Sequence, residues 1–224
     1  MANENFTTYT EVDAGGKLTV AAAKITAVNM LRNEDCYVYK DFGVNFFDAL
    51  DIDFEIFCSG LAGGDGLGGP GLTVATINDG TVWGAGDVRV EFYTYTTVIR
   101  LIRGAYVVFD ASVGLSYSTL YYCTLSRAAG GDTITCTIYS NAARTTVVDT
   151  LSVGGFGTSK YRYLYGIVSL NSGDISRWDG YVQNMNTNIG WQNIAKVDGV
   201  TAASIAKLNG VAVAGIAKVN GKAV

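Results

Sequence analysis

The chain has 224 residues, no histidine, one proline, 28 glycines and a formal charge of −4. Without histidine there is no Ser-His-Asp or Cys-His pair, no histidine-bearing zinc site and no imidazole base. An acidic chain lacking a basic stripe also has little with which to attract phosphate, so nucleic acid is not expected as a partner.

Fourteen tyrosines and nine phenylalanines among frequent glycines, with 16% charged residues, describe half-buried strands joined by tight turns. The length suits one sizeable core with an appendage. The first residues, MANENFTTYTEVD, contain neither a basic n-region nor an apolar h-region. No stretch nears the roughly 18 apolar residues of a membrane span. Synthesis in a cytoplasm without membrane insertion is the expectation.

TTYTEV, KLTVAA and KITAVNM then alternate polar and apolar residues across an AGG turn, which suits strands with one buried face. A short helix over Ala21–Leu31 is the alternative, because Val20, Ala27 and Leu31 also fit a helical stripe. CYVYKDFGVNFFDALDIDFEIFCSG offers two aromatic-rich strands. Its second half sets Ile52, Phe54, Ile56 and Cys58 against Asp51, Asp53, Glu55 and Phe57, which predicts a buried strand over Asp51–Ser59. The acids read as a solvated face, since a glycosidase pair needs two carboxylates about 5 to 9.5 Å apart across a cleft. No catalytic residue is assigned.

Leu61–Gly71, LAGGDGLGGPG, reads as a loop of unusual backbone freedom. It lacks the Lys-Ser/Thr and the strand-to-helix context of a phosphate cradle, but sandwich loops often carry ligand contacts. Asp65, Asp79 and Asp87 lie in glycine-containing turns and offer oxygens of the kind that bind Ca²⁺, although Asp is also an ordinary turn residue. No metal and no cofactor is assigned.

LTVATIN, VRVEFYTYTTVIRLIR, YVVFDAS and STLYYCTLS follow at the spacing of a sandwich or barrel. In STLYYCTLSRAAGGDTITCTIYS, a turn centred on Ala129 and Gly130 sets Ser126 opposite Thr133 and Cys123 opposite Cys136, both inward. Two buried free thiols and a cross-strand disulfide are the readings of that pair; Cys36 and Cys58 complete a set without any CxxC. Trp83, Tyr93, Tyr95, Tyr161 and Tyr163 would stack on sugar rings if clustered on an open face, although strand aromatics more often pack inside. KYRYLYGIVSL and RWDGYVQNMNTNIG supply the last strands.

The chain closes on one phrase said three times: IAKVDG from Ile194, IAKLNG from Ile205 and IAKVNG from Ile216, spaced by eleven residues. Turns with short strands are favoured over a right-handed coiled coil, because each repeat carries a glycine that costs a helix about 1 kcal/mol.

TYTEVDAGGKLTV, RNEDCYVYKDFGVNFFDALDIDFEIF, YYCTLSRAAGGDTITCTIYS and WDGYVQNMN together resemble the concanavalin A-like, or laminin-G-like, jelly-roll domains of tailed-phage structural proteins, over residues 6–190. The tail resembles the I-x-K-V-N-G-V endings of phage virion proteins. The resemblance implies an all-β jelly roll of two antiparallel sheets and a virion-associated role. Glycosidases of this fold carry E-x-D-x-x-E where this chain reads D-I-D-F-E-I-F, so hydrolysis is not inherited. The calcium-binding loops of its lectins find no match either.

The expectation is therefore a non-enzymatic virion protein made in a host cytoplasm, with a sandwich over 1–190 and an assembly tail over 191–224. Ile194, Val197, Ile205, Leu208, Ile216 and Val219 would dock it to further copies or to other virion proteins. The alternative is a lectin-like module recognising a surface glycan.

Overall fold

The computed structural model describes residues 3–32, 34–59, 67–76, 83–104, 108–169 and 176–188, with six two-residue strands beyond them. A short 3-10 turn, Phe6–Thr8, precedes fourteen strands. These are β1 (Thr10–Asp13), β2 (Leu18–Ala21), β3 (Lys24–Leu31), β4 (Cys36–Asp41), β5 (Leu50–Cys58), β6 (Leu67–Thr73) and β7 (Val88–Tyr93), then β8 (Val98–Arg103), β9 (Val108–Ala111), β10 (Thr119–Arg127), β11 (Ile134–Tyr139), β12 (Val147–Val153), β13 (Tyr163–Val168) and β14 (Arg177–Asn186). They form two seven-stranded antiparallel sheets: sheet A in the order β1-β4-β13-β6-β7-β8-β9 and sheet B in the order β12-β11-β10-β5-β14-β3-β2. The all-β expectation of two antiparallel layers holds.

Alternation builds the core between them. Ile52, Phe54 and Ile56 of β5 and Trp178, Val182 and Met185 of β14 meet Val88, Val90 and Phe92 of β7 and Ile99 and Leu101 of β8, all buried in one cluster. Each such side chain contributes roughly 1.5–3 kcal/mol when taken from water.

The helix alternative over Ala21–Leu31 fails for a local reason. β3 buries Ile25 and Ala27 and then Met30, because Asn29 adopts φ 57° and its N–H is held by Asp179 Oδ1 at 2.5 Å. That irregularity shifts the buried phase from odd to even positions, which imitates helical spacing in a sequence. A bulge between Tyr165 and Ile167 does the same in β13, where Leu164 and Ile167 face the core and Tyr163, Tyr165 and Val168 pack in a separate cluster outside it.

Three further expectations are corrected. Leu67–Thr73, read as part of a glycine loop, is β6 in the middle of sheet A. Its glycines make room for two indoles: a Cβ on Gly68 would lie 2.7 Å from Trp178 Cδ2, and one on Gly71 would lie 2.5 Å from Trp83 Cη2. Pro70 falls where the printed ladders to β13 and β7 are interrupted, between Gly69 and Gly71 on one side and between Gly68 and Gly71 on the other.

The β10–β11 register is also shifted by two residues. Cys123 faces Ile138 and Leu125 faces Cys136, so the thiols share the inward face diagonally rather than directly. The connecting loop bonds outward instead of closing a tight turn: Asp132 accepts from the N–H groups of Gly155 and Gly157, and Gly130 N–H donates to Asp48. All four cysteines are free and buried. Finally, β12 (VVDTLSV) was not anticipated at all.

The three repeats form three separate two-stranded hairpins, β15–β16 (Lys196–Val197 with Val200–Thr201), β17–β18 (Lys207–Leu208 with Val211–Ala212) and β19–β20 (Lys218–Val219 with Lys222–Ala223). This is the turn-and-strand alternative. None joins sheet A or sheet B.

Candidate functional site

β5 is the central strand of sheet B, and its polar phase, Asp51, Asp53, Glu55 and Phe57, is the outward one. β10 lies on one side and sets Ser126, Thr124, Tyr122 and Leu120 opposite those four; β14 lies on the other and sets Gln183 opposite Glu55 and Tyr181 opposite Phe57. The rings of Phe57 and Tyr181 stack at 4.8 Å with 10° between planes, and the Lys24 ammonium sits 3.7 Å from the Tyr181 centroid. These side chains, apart from the more exposed Asp51, are half-buried. Both ring planes are therefore held by neighbours instead of moving freely in water.

The polar groups around the rings are ordered too. Asp53 accepts from Thr124 Oγ1 at 2.6 Å and from Asn188 Nδ2 at 3.4 Å, and pairs with Arg144 Nε at 3.4 Å. Gln183 Nε2 donates to Glu55 Oε2 at 2.7 Å, which leaves the second Glu55 oxygen as an acceptor. Burial, reinforced by the nearby charges of Glu55 and Tyr122, raises the Tyr181 pKa, so its hydroxyl remains a donor at neutral pH. The result is a ring platform flanked by carboxylate, amide and hydroxyl groups.

The outward face of sheet A is built differently. Tyr37, Tyr163, Tyr165, Val168 and Trp83 form a second buried cluster, with Tyr39 and Tyr93 packed against it. Beside it Glu91, 1% exposed, pairs with Arg89 Nε at 3.1 Å and with Arg100. Arg89 lies 5.1 Å from the Trp83 ring centroid and Arg100 lies 3.5 Å from that of Tyr93.

Of the aromatics singled out in the sequence, Trp83, Tyr93 and Tyr163 thus come together, but on a covered face. Tyr95 is exposed next to Tyr93, and Tyr161 lies in the main core with its hydroxyl donating to Gly86 O at 2.9 Å. Asp65 and Asp79 lie outside the described residues. Asp87 is a turn clamp that accepts from Val74 N–H at 3.0 Å and Gly84 N–H at 2.6 Å; burial raises its pKa against those two bonds. Val197, Leu208 and Val219 stand opposite Val200, Val211 and Lys222 in their hairpins, while Ile194, Ile205 and Ile216 lie outside the described residues.

Phe57, Tyr122 and Tyr181 were missed as site residues. The signal was present: each ring occupies the polar phase of its strand, alternate with Glu55, Thr124 and Gln183. A ring in the outward phase of a sheet is the one offered to solvent.

No family model matches the chain, and no curated protein matches it in sequence. Solved structures do match in fold. The exoplasmic/lumenal domain of VIP36, in a form bound to Ca²⁺ and Man3GlcNAc, has a TM-score of 0.54 at 9% identity over 83% of this chain and 87% of that one. A sialidase gives 0.52 at 8% identity over 85% of this chain and 19% of the larger protein. The carbohydrate-binding module CBM66 from Bacillus subtilis gives 0.45 at 10% identity over 84% and 96%. This chain is a concanavalin A-like jelly-roll β-sandwich, the architecture of lectins and carbohydrate-binding modules.

Proposed function

We propose that the sandwich is a non-enzymatic, lectin-like carbohydrate-binding module that takes a glycan on the outward face of sheet B. The observation that carries this is the stacked Phe57–Tyr181 pair with Glu55, Gln183 and Asp53 around it. A pyranose offers an apolar face to a ring and hydroxyls to flanking acceptors and amides, and this platform offers both in one place. The glycan bound to the VIP36 domain of the same fold supports the reading. Among the described residues no three His, Cys, Asp or Glu side chains converge to hold a metal, so the contacts are assigned to protein groups alone. A glycan array probed with the full chain, followed by calorimetry, tests it. Binding should weaken at least about tenfold in Tyr181→Ala and Phe57→Ala, a loss of 1.4 kcal/mol or more. An array without ligands, or unchanged affinity in both variants, would sink the idea.

The second reading, a virion-associated assembly protein, concerns the tail. A lone two-stranded hairpin is marginal in water, and each repeat closes on itself outside both sheets, which favours burial against further copies or virion partners through Ile194, Val197, Ile205, Leu208, Ile216 and Val219. Leu208→Asp with Val197→Asp should then lower the mass of the full chain in solution. An unchanged mass would remove the tail from assembly.

A further inference from the structure

β9 closes one edge of sheet A and β12 closes one edge of sheet B, and these two edges lie against each other on one flank. They are stapled reciprocally. Asp110 of β9 accepts the Ser152 N–H of β12 at 2.9 Å, and Asp149 of β12 accepts the Val113 N–H beyond β9 at 3.1 Å. The other oxygens are also engaged, Asp110 Oδ1 by Ala111 N–H and Asp149 Oδ1 by Thr150 N–H, while Arg103 NH1 donates to Gly154 O at 2.9 Å. The N–H groups of Thr150 and Ser152 are thus bonded to carboxylates. An incoming strand would have to displace them, so addition of a strand at β12 is blocked.

The side chains on the same flank are apolar and exposed. Val108 (41%), Phe109 (52%), Val113 (72%), Val147 (55%) and Val148 (36%) make up five of the nine large apolar side chains exposed among the described residues. A patch of this kind, on the order of 300–600 Å², is the size at which an exposed apolar surface marks an interaction site. Both carboxylates of the flank are bonded to backbone N–H groups, and Arg103 supplies a cation beside them.

We infer that this flank is a self-association surface, and that its occupant is the same flank of a second copy. The chain carries a charge of −4, so two copies repel least where carboxylates are already bonded and a guanidinium stands among them. An apolar patch with its backbone donors engaged is complementary to another of its own kind, the condition for a two-fold contact. Contact runs side chain to side chain, valine and phenylalanine interdigitating, with no shared ladder. Two such patches bury about half of a standard 1,600 Å² interface, which sets an expected dissociation constant on the order of micromolar or weaker.

Sedimentation velocity of the full chain across a concentration series tests this apart from the tail and the glycan face. Phe109→Asp with Val147→Asp should raise the dissociation constant about tenfold or more. Val28→Asp, 60% exposed on β3 and five strands from β12 in sheet B, should leave it unchanged. All positions are exposed, and far-UV circular dichroism checks that each variant folds. A chain monomeric at every concentration overturns the inference. So does an association that Leu208→Asp abolishes and the flank variant does not touch.

Discussion

Sheet A and sheet B turn the same kind of strand outward to opposite effect. On sheet A the outward phase holds Arg89, Glu91 and Tyr165 at 2%, 1% and 0% exposure, whereas on sheet B it holds Asp53, Glu55, Phe57 and Tyr181 half in water. Charge placed on the covered face has to be neutralised locally, and Glu91 stands between two guanidinium groups. Charge on the open face is screened and can be spent on a ligand. Alternation decides which residues face outward; what lies over the sheet decides whether they act as structure or as a surface.

The sharpest way to break this comparison is to make one substitution on both faces. Glu91→Gln removes the carboxylate between Arg89 and Arg100 and should cost about 3–5 kcal/mol in urea unfolding. Glu55→Gln, on the open face, should stay within about 0.5 kcal/mol. Equal costs would mean that the two faces do not differ in the way described. Next in size is Gly71→Ala, whose added methyl would enter the space of Trp83 Cη2. Overpacking of this kind should cost about 1–3 kcal/mol in the same assay.

Tyr181→Ala should leave stability within about 1 kcal/mol while removing glycan affinity, which separates the ring's two possible roles. The smallest effect lies at the rim of sheet A, where Arg162 NH2 meets Asp41 at 2.6 Å. The hydrogen bond from Arg162, aided by the Gly43 N–H, lowers the Asp41 pKa. A depressed carboxylate contributes stability above its unfolded pKa of about 3.9 and loses it as pH falls through the folded value. Asp41→Asn should therefore be slightly less stable than the parent at pH 7, and the two urea midpoints should converge by about pH 2.

Much of this was legible beforehand. The two-layer β architecture followed from tyrosine-rich alternation and glycine turns, and β5 followed from Ile52, Phe54 and Ile56 set against Asp51, Asp53 and Glu55. What failed was tertiary in origin. β6 reads as a loop because nothing local says that Trp178 and Trp83 will occupy the space its side chains would need. β3 reads partly as a helix because Asn29 shifts the phase. The Cys123–Cys136 register slipped because the β10–β11 loop bonds to Asp48 and the Gly155–Gly157 turn, both distant in the chain.

The open face was legible only in part. The acids of β5 were visible as an outward row, but the stacking of Phe57 on Tyr181 depends on β14 arriving beside β5 from 120 residues further along, which no spacing rule within one strand reveals.

The glycine strand also makes the protein its own instrument. At β6 sheet A is one backbone thick with an indole against each side, Trp178 toward the core and Trp83 toward the outer cluster. With Trp191, the third tryptophan of the chain, replaced by phenylalanine, emission comes from two fluorophores separated by one strand yet reporting different events. Loss of whatever shields the outer cluster red-shifts and exposes Trp83 to acrylamide while Trp178 stays blue and unquenched; global unfolding moves both together. A single spectrum therefore distinguishes a sandwich that has bared one surface from a sandwich that has come apart.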